Sequence, residues 1–145
     1  MPGPRLGTPY QLFNLMLGQS MAAFSEAVSF GKAMGISQKQ LFDTLIGGPV
    51  TAPFLAGKRE KLETGNYEAQ FPLEHMHKDL HLAHNTASEY GVPLLSAALV
   101  EELFQMARAQ TMGRLDFSAL FDYMGNLGNS SEASASSRGS GGSGR

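Results

Sequence analysis

The chain contains no cysteine and no tryptophan among its 145 residues. Without cysteine it can form no disulfide framework, no thiolate zinc site and no cysteine nucleophile. The formal net charge of -2 argues against nucleic acid or an anionic membrane as the main partner, because both need a positive face. No segment approaches the roughly 18 uninterrupted apolar residues of a membrane span, and no secretory signal is visible in residues 1–9. We therefore expect a soluble intracellular protein, with the compartment left open.

Helix signals fill most of the chain, and no window shows the sustained two-residue alternation of a β-strand. The sequence therefore predicts an all-α protein. Residues 1–9, rich in proline and glycine, are predicted to be an irregular N-terminal segment, and residues 10–124 a helical domain. Residues 125–145 are mostly Gly, Ser, Asn and Ala, so they cannot bury enough apolar area to offset their chain entropy and are predicted to be a disordered tail.

The first predicted helix is long, running from Tyr10 to Met34, and Gly35 can take the left-handed position that ends it. Its apolar residues occupy more than one side, which predicts contacts beyond its own chain and a homodimer. Later helices are marked by capping or proline signals at Ser37 with Gln40, at Pro53, Pro72, Pro93 and Asp116. The helix that follows Pro93 carries a row of apolar residues on one face: Leu95, Leu99, Leu103 and Met106.

The four histidines of the chain all follow Pro72 on one predicted helix: His75, His77, His81 and His84. His77 and His81 have the i, i+4 spacing that can chelate zinc or nickel. A structural site needs four ligands, and few carboxylates share that side, so we predict a solvated face and no metal site. A metal-binding bundle would instead melt at a lower temperature with chelator. The neighbours Glu101 and Glu102 are also predicted to lie at the surface.

Five short motifs occur in order along the chain: NLMLG at 14–18, AFSEA at 23–27, FPL at 71–73, KDLHLA at 78–83 and LDFSA at 115–119. The ordered set resembles the C-terminal half of the β-hydroxyacid dehydrogenases. It is most similar to the glyoxylate/succinic semialdehyde reductases, and 3-hydroxyisobutyrate dehydrogenase is a more distant relative. The resemblance implies a helical bundle like the C-terminal domain of 6-phosphogluconate dehydrogenase, built on a long first helix that closes the substrate cleft and contributes to a dimer interface.

The resemblance also implies site residues. Asn14 matches the family's substrate-cleft asparagine, Lys78 matches its cofactor-contacting lysine, and Phe71 and Asp79 match positions that line the cleft in the reductase branch. An amide can hold a carboxylate or carbonyl oxygen, and an ammonium group can lie beside the ribose or the nicotinamide amide. The family's catalytic lysine, one turn before the asparagine, is replaced here by Tyr10, which could serve as general acid if suitably placed.

The implied activity is hydride transfer between NADP or NAD and a small aldehyde or hydroxy acid, such as glyoxylate or succinic semialdehyde. No glycine-rich dinucleotide-binding motif occurs in the 145 residues. We therefore expect the C-terminal helical domain of an oxidoreductase without its cofactor domain, inactive by itself. The alternative is a non-catalytic helical dimerisation module derived from that family, which the replacement of lysine by Tyr10 favours.

Overall fold

Six α-helices form the part of the chain that the computed structural model describes, residues 8–128. In chain order they are α1 (Thr8–Ala33), α2 (Gln38–Leu45), α3 (Phe54–Thr64), α4 (Leu73–Glu89), α5 (Leu95–Ala107) and α6 (120–128). Residues 8–128 contain no strand, and their isolated β-bridge joins Pro72 to Asp116. The predicted all-α bundle on a long first helix is confirmed.

The ends of the helices follow the local signals in the sequence. After α1, Gly35 has a φ of +89°, and the N–H of Ile36 donates to the carbonyl of Gly31 at 3.1 Å. Ser37 then caps α2, accepting the N–H of Gln40 at 3.2 Å, and the reciprocal contact completes a capping box. These turns confirm the predicted boundary between the first two helices.

Two predicted boundaries differ from the structure. α1 already includes Thr8 and Pro9, because proline is tolerated in a first turn, where its missing N–H would have no helical partner. α6 continues through residue 128, so residues 125–128 are helical instead of forming the start of the tail. Gly125 permits this because a helical glycine costs only about 1 kcal/mol relative to alanine. The rest of the predicted N-terminal segment and tail, residues 1–7 and 129–145, lies outside the described residues.

The core lies where α1 and α4 meet the segment that leads into α6. Its largest fully buried side chains include Met21, Phe42, Leu55, Leu73, Met76, Leu80, Phe104, Phe117 and Leu120. Three aromatic rings, those of Phe24, Phe42 and Phe121, lie with centroids 5.7 to 6.2 Å apart. Both α1 and α4 contribute buried side chains to this core and pack against each other, so the core supports any side chains that their shared interface presents to solvent.

α5 packs through a face other than its leucine row. Small and aromatic residues make up its buried side: Ala97, Val100, Phe104 and Ala107. Leu95 and Leu99 are 80% and 71% exposed, so the row predicted from the sequence is mostly a surface feature. Among residues 8–128, no helix combines the length and the apolar character needed to cross a lipid bilayer.

Candidate functional site between α1 and α4

The interface between α1 and α4 changes from apolar to polar along its length. Gly18 allows the helices to approach closely, since a Cβ built there would lie 3.2 Å from the Sδ of Met76 and 3.3 Å from a Cδ of Leu80. One turn earlier on α1, the amide Nδ2 of Asn14 donates to the Oδ2 of Asp79 on α4 at 2.7 Å. Both side chains are half-buried. Two predicted site residues, 65 positions apart in the chain, are thus in direct contact.

Lys78 directly precedes Asp79 on α4, and its side chain is exposed. Consecutive side chains on a helix point about 100° apart, so this adjacency does not by itself bring the Lys78 ammonium group to the Asn14–Asp79 hydrogen bond. Within residues 8–128 the structure gives its ammonium group no ion pair or side-chain hydrogen bond. A solvated ammonium one residue from Asp79 is available to an anionic or polar ligand. Lys78 is therefore a solvated cation on the surface of α4.

Tyr10 lies at the start of α1 and is 76% exposed. It precedes Asn14 by one helical turn, so the two side chains are on the same side of α1. Among residues 8–128, its phenol is therefore mostly in contact with solvent.

Phe71 belongs to a different cluster, at the N-terminal end of α4. Its ring contacts those of Phe117 and His75, with centroids 6.1 and 6.2 Å away. Asp79 lies two turns farther along the helix, roughly 10 Å along its axis. The structure thus joins Asn14 and Asp79 directly, and it places Phe71 in a neighbouring region, half-buried.

Asp116 holds the main chain of Phe71 in place. This fully buried carboxylate accepts the N–H of Gln70 at 3.0 Å and that of Phe71 at 3.1 Å. It also forms an ion pair with Lys58 of α3 at 3.0 Å. In addition, it accepts hydrogen bonds from the N–H and from the hydroxyl group of Ser118. The hydrogen bond from the N–H of Ser118 confirms the predicted capping role of Asp116. No pattern in the sequence indicated the partnership with Lys58, which is 58 residues away.

The hydrogen bonds around Asp116 also determine its ionisation. Burial alone would raise the pKa of this carboxyl, but donation by Ser118, by the N–H of Phe71 and by Lys58 outweighs burial, so the pKa lies below its ordinary value. Asp116 is therefore a charged structural anchor in the folded chain.

Two of the four histidines of α4, His81 and His84, contact a buried carboxylate. Glu101 is only 7% exposed, and its two oxygens lie 2.6 Å from the Nδ1 of His81 and 3.3 Å from the Nδ1 of His84. The prediction of a surface position for Glu101 was wrong, because α5 packs against α4 at this point. Burial, followed by the charge of Arg108, lowers the pKa of His77. Within the described range, no group of three or more His, Cys, Asp or Glu side chains is arranged so that it could hold a metal ion.

Comparison with known proteins decides the family. The family model described as NAD-binding of NADP-dependent 3-hydroxyisobutyrate dehydrogenase matches residues 11–124. The chain belongs to the β-hydroxyacid dehydrogenase family. The match covers Asn14, Phe71, Lys78 and Asp79, and it begins one residue after Tyr10. NAD(P) is the cofactor of this family.

Three relatives illustrate the range of the similarity. Glyoxylate/succinic semialdehyde reductase 1 of Arabidopsis thaliana is 36% identical over 111 residues, which are 77% of this chain and 38% of that protein. 2-(Hydroxymethyl)glutarate dehydrogenase of Eubacterium barkeri is 32% identical over 108 residues, 74% of this chain and 36% of the relative. The human cytokine-like nuclear factor N-PAC is 30% identical over 110 residues, 76% and 20% of the respective chains. The chain spans 20 to 38% of the length of these relatives.

A solved structure supports the fold. The crystal structure of 3-hydroxyisobutyrate dehydrogenase from Salmonella typhimurium superposes with a TM-score of 0.74 at 23% identity, over 80% of this chain and 41% of that chain. The helical arrangement of most of residues 8–128 is therefore one already seen in that crystal structure.

Proposed function

We propose that residues 11–124 are the C-terminal helical domain of an NAD(P)-dependent oxidoreductase acting on a small aldehyde or hydroxy acid, such as glyoxylate or succinic semialdehyde. The observation that carries the proposal is the 2.7 Å hydrogen bond between Asn14 and Asp79. It brings two residues of the family-matched range together at the half-buried edge of the α1–α4 interface.

Asn14 would bind the substrate. Its bond to Asp79 uses one amide N–H, which leaves the second N–H and the Oδ1 for a ligand. Because Asp79 fixes the orientation of the amide, that N–H can hold a carboxylate or carbonyl oxygen of a small acid without a further loss of side-chain freedom. Phe71 would supply an apolar wall near the N-terminal end of α4.

Lys78 would contact the cofactor. When bound, the nicotinamide supplies or accepts the hydride. A solvated ammonium group fits the ribose or the carboxamide of such a cofactor, but residues 8–128 contain no strand and hence no dinucleotide-binding unit. We therefore expect the 145-residue chain alone to show no turnover with NADPH or NADH.

Tyr10 would be the proton donor at the substrate oxygen, since it lies one turn before Asn14 on the same side of α1. Its high exposure means that a further surface must close over it before it can act. A Tyr10→Phe variant with an unchanged rate would remove Tyr10 from the site and leave the other assignments standing.

A chimera tests the proposal. Residues 10–128 of this chain, with Tyr10 included so that Tyr10→Phe can be assayed, would replace the matched C-terminal part of the Arabidopsis reductase. Reduction of glyoxylate and succinic semialdehyde would be followed with NADPH and NADH. We expect the chimera to turn over its substrates. Asn14→Ala should lower the rate about 100-fold, the order of loss found when a substrate-positioning group is lost. Lys78→Ala should raise the KM for the cofactor. Asn85→Ala and Lys39→Ala, at exposed positions, are the matched controls. A folded chimera in which Asn14→Ala retains full activity would contradict the proposal.

The second candidate function is a non-catalytic dimerisation module. Two points favour it. The resemblance puts Tyr10 at the position of the family's lysine, and α1 exposes large apolar side chains such as those of Met16 and Phe30. In addition, the N-PAC relatives bear the name of a nuclear factor and not of a reductase. This candidate predicts a folded chimera without activity and a chain that still self-associates. In either case we propose that the chain is a homodimer.

A further inference from the structure

His75 differs from the other three histidines of α4 in the side of the helix that it occupies. At 100° per residue, its direction is about 40° from that of Asp79 and about 120° to 180° from those of the other three. The other three face α5 and its C-terminal end, where they contact Glu101 or Arg108. His75 therefore lies on the side of α4 that carries Asp79.

The ring of His75 is held by a neighbour on one side only. It contacts the ring of Phe71, with centroids 6.2 Å apart and planes at 62°, and Phe71 in turn packs against buried Phe117. The side chain of His75 is nonetheless exposed. Within residues 8–128 its ring nitrogens form no hydrogen bond with another group of the chain. An imidazole that is oriented by packing and whose nitrogens are unused is available to a ligand.

His75 connects the two parts of the candidate site. Phe71 precedes it by four residues, and Asp79 follows it by four. Residues four apart on a helix have Cβ atoms about 5–6 Å apart, and the contact with Phe71 is direct. A ligand that contacts the Asn14–Asp79 pair can therefore extend along α4, with a polar group at the imidazole and an apolar part against the Phe71 ring.

The two substrates named in the proposed function differ in the distance between their polar groups. In glyoxylate the aldehyde and carboxylate carbons are directly bonded, whereas two methylene groups separate them in succinic semialdehyde. Asn14 has one amide N–H left after its bond to Asp79, so it can hold one polar group of the substrate. The carboxylate of the longer substrate needs a second donor, farther along α4.

We propose that the imidazole of His75 binds the carboxylate of an aldehyde acid whose two polar groups are separated by a spacer, as in succinic semialdehyde. A ring N–H donates to a carboxylate oxygen, and the charge of the acceptor strengthens this hydrogen bond. Phe71 covers the spacer, and Asn14 holds the aldehyde oxygen. His75 is thus a specificity-determining residue that favours the longer substrate over glyoxylate. This inference rests on the proposed function and names the residue that selects the substrate.

The charges near this edge leave His75 as the best-placed donor on α4. Residues 11–30 of α1 contain one charge, that of Glu26, which is about 18 Å along the helix axis from the site. Lys78 also carries a positive charge on α4, but its direction is about 100° from that of Asp79, whereas that of His75 is about 40° away. A carboxylate on the Asp79 side of the helix therefore meets the imidazole first.

Steady-state kinetics of the chimera test the contact. His75→Ala should raise the KM for succinic semialdehyde about 10-fold or more, the loss expected for a hydrogen bond to a charged group, and should leave kcat nearly unchanged. The KM for glyoxylate should stay close to its native value, because glyoxylate is too short to reach the imidazole. His77→Ala is the matched control, since His77 lies on the opposite side of α4 and contacts Arg108; it should change neither KM.

Two further variants separate hydrogen bonding from packing. His75→Phe keeps a ring against Phe71 but removes the donor, so it should behave as His75→Ala does. His75→Gln keeps an N–H donor and should restore part of the affinity for succinic semialdehyde. Equal rises in KM for both substrates, or full affinity in His75→Phe, would overturn the proposal. If the His75 variants match the native chimera while Asn14→Ala is impaired, this inference fails and the proposed function stands.

Nuclear magnetic resonance of the 145-residue chain decides the contact if the chimera is folded but inactive, a result that contradicts the proposed function. The chain has four histidines, so each imidazole signal can be assigned with single-histidine variants. Succinic semialdehyde should shift the signals of His75 and leave those of the other three in place. Butanal, which lacks the carboxylate, should not produce this shift. An unmoved His75 signal, or the same shift with butanal, would overturn the proposal.

Discussion

Two of the polar pairs that join separate elements within residues 8–128 differ in how completely their hydrogen-bonding groups are used. Lys58 and Asp116 are buried, and the carboxylate of Asp116 also accepts hydrogen bonds from Gln70, Phe71 and Ser118. The pair formed by Asn14 and Asp79 is half-buried and is joined by a single hydrogen bond.

The comparison separates a structural pair from a pair that can bind a ligand. The oxygens of Asp116 are fully occupied by donors of the chain, so a ligand could bind there only by breaking the fold. At the α1–α4 edge, one amide N–H and the Oδ1 of Asn14 remain available. A buried polar group contributes most when all its bonds are made and costs most when one partner is removed.

The substitution expected to change stability most is that of Asp116. Asp116→Ala should lower the free energy of unfolding by about 3–5 kcal/mol, because it leaves the Lys58 ammonium buried without a partner and frees several N–H groups. Asp79→Ala, the matched variant of the open pair, should cost about 1 kcal/mol. Urea unfolding followed by circular dichroism measures both. Equal losses in the two variants would contradict the distinction between the pairs.

A change of pH is expected to have a smaller effect on stability than the loss of Asp116. The pKa of Asp116 in the folded chain lies below its ordinary value of 3.8, so the stabilisation by this ionised group is present above that value and is lost as the pH falls through the folded pKa. In urea unfolding at pH 6 and pH 2.5, Asp116→Asn should lose less stability between the two conditions than the native chain does. An identical pH dependence in both proteins would show that Asp116 is not the group responsible.

The smallest effect is expected at the open pair. Asn14→Ala should cost about 1 kcal/mol of unfolding free energy, and its coupling to Asp79→Ala in a double-mutant cycle should be about 0.5 kcal/mol or more. Asn85→Ala, on the exposed surface of α4, should change stability by less than either. Strict additivity of Asn14→Ala and Asp79→Ala would mean that their hydrogen bond does not persist in solution.

The fold could be predicted from the sequence because local signals mark where its helices begin and end. Gly35 and Ser37 with Gln40 define the first boundary, and Pro72 and Gly91 delimit α4. Periodicity was less informative for α5, since this helix is apolar on two sides and a repeat of three and four residues fits either one. Packing against α4 selects the side with Val100 and Phe104 and leaves the leucine row exposed.

The candidate site could be predicted only as a set of positions. The motifs pointed to Asn14 and Asp79 separately, but no sequence pattern showed that a side chain on α1 would donate to one on α4. The same reason explains the misplacement of Glu101, whose burial depends on His81 and His84 across a helix–helix contact. It also explains why Lys58 was not recognised as the partner of Asp116.

The shared acceptor at Asp116 has a consequence for local motion. The main-chain amides of Gln70, Phe71 and Ser118 all donate to this one carboxylate, so they cannot open independently. Their hydrogens should exchange with deuterated water at rates governed by a common opening event. The entry to α4 and the entry to α6, far apart in the chain, thus belong to one cooperative unit.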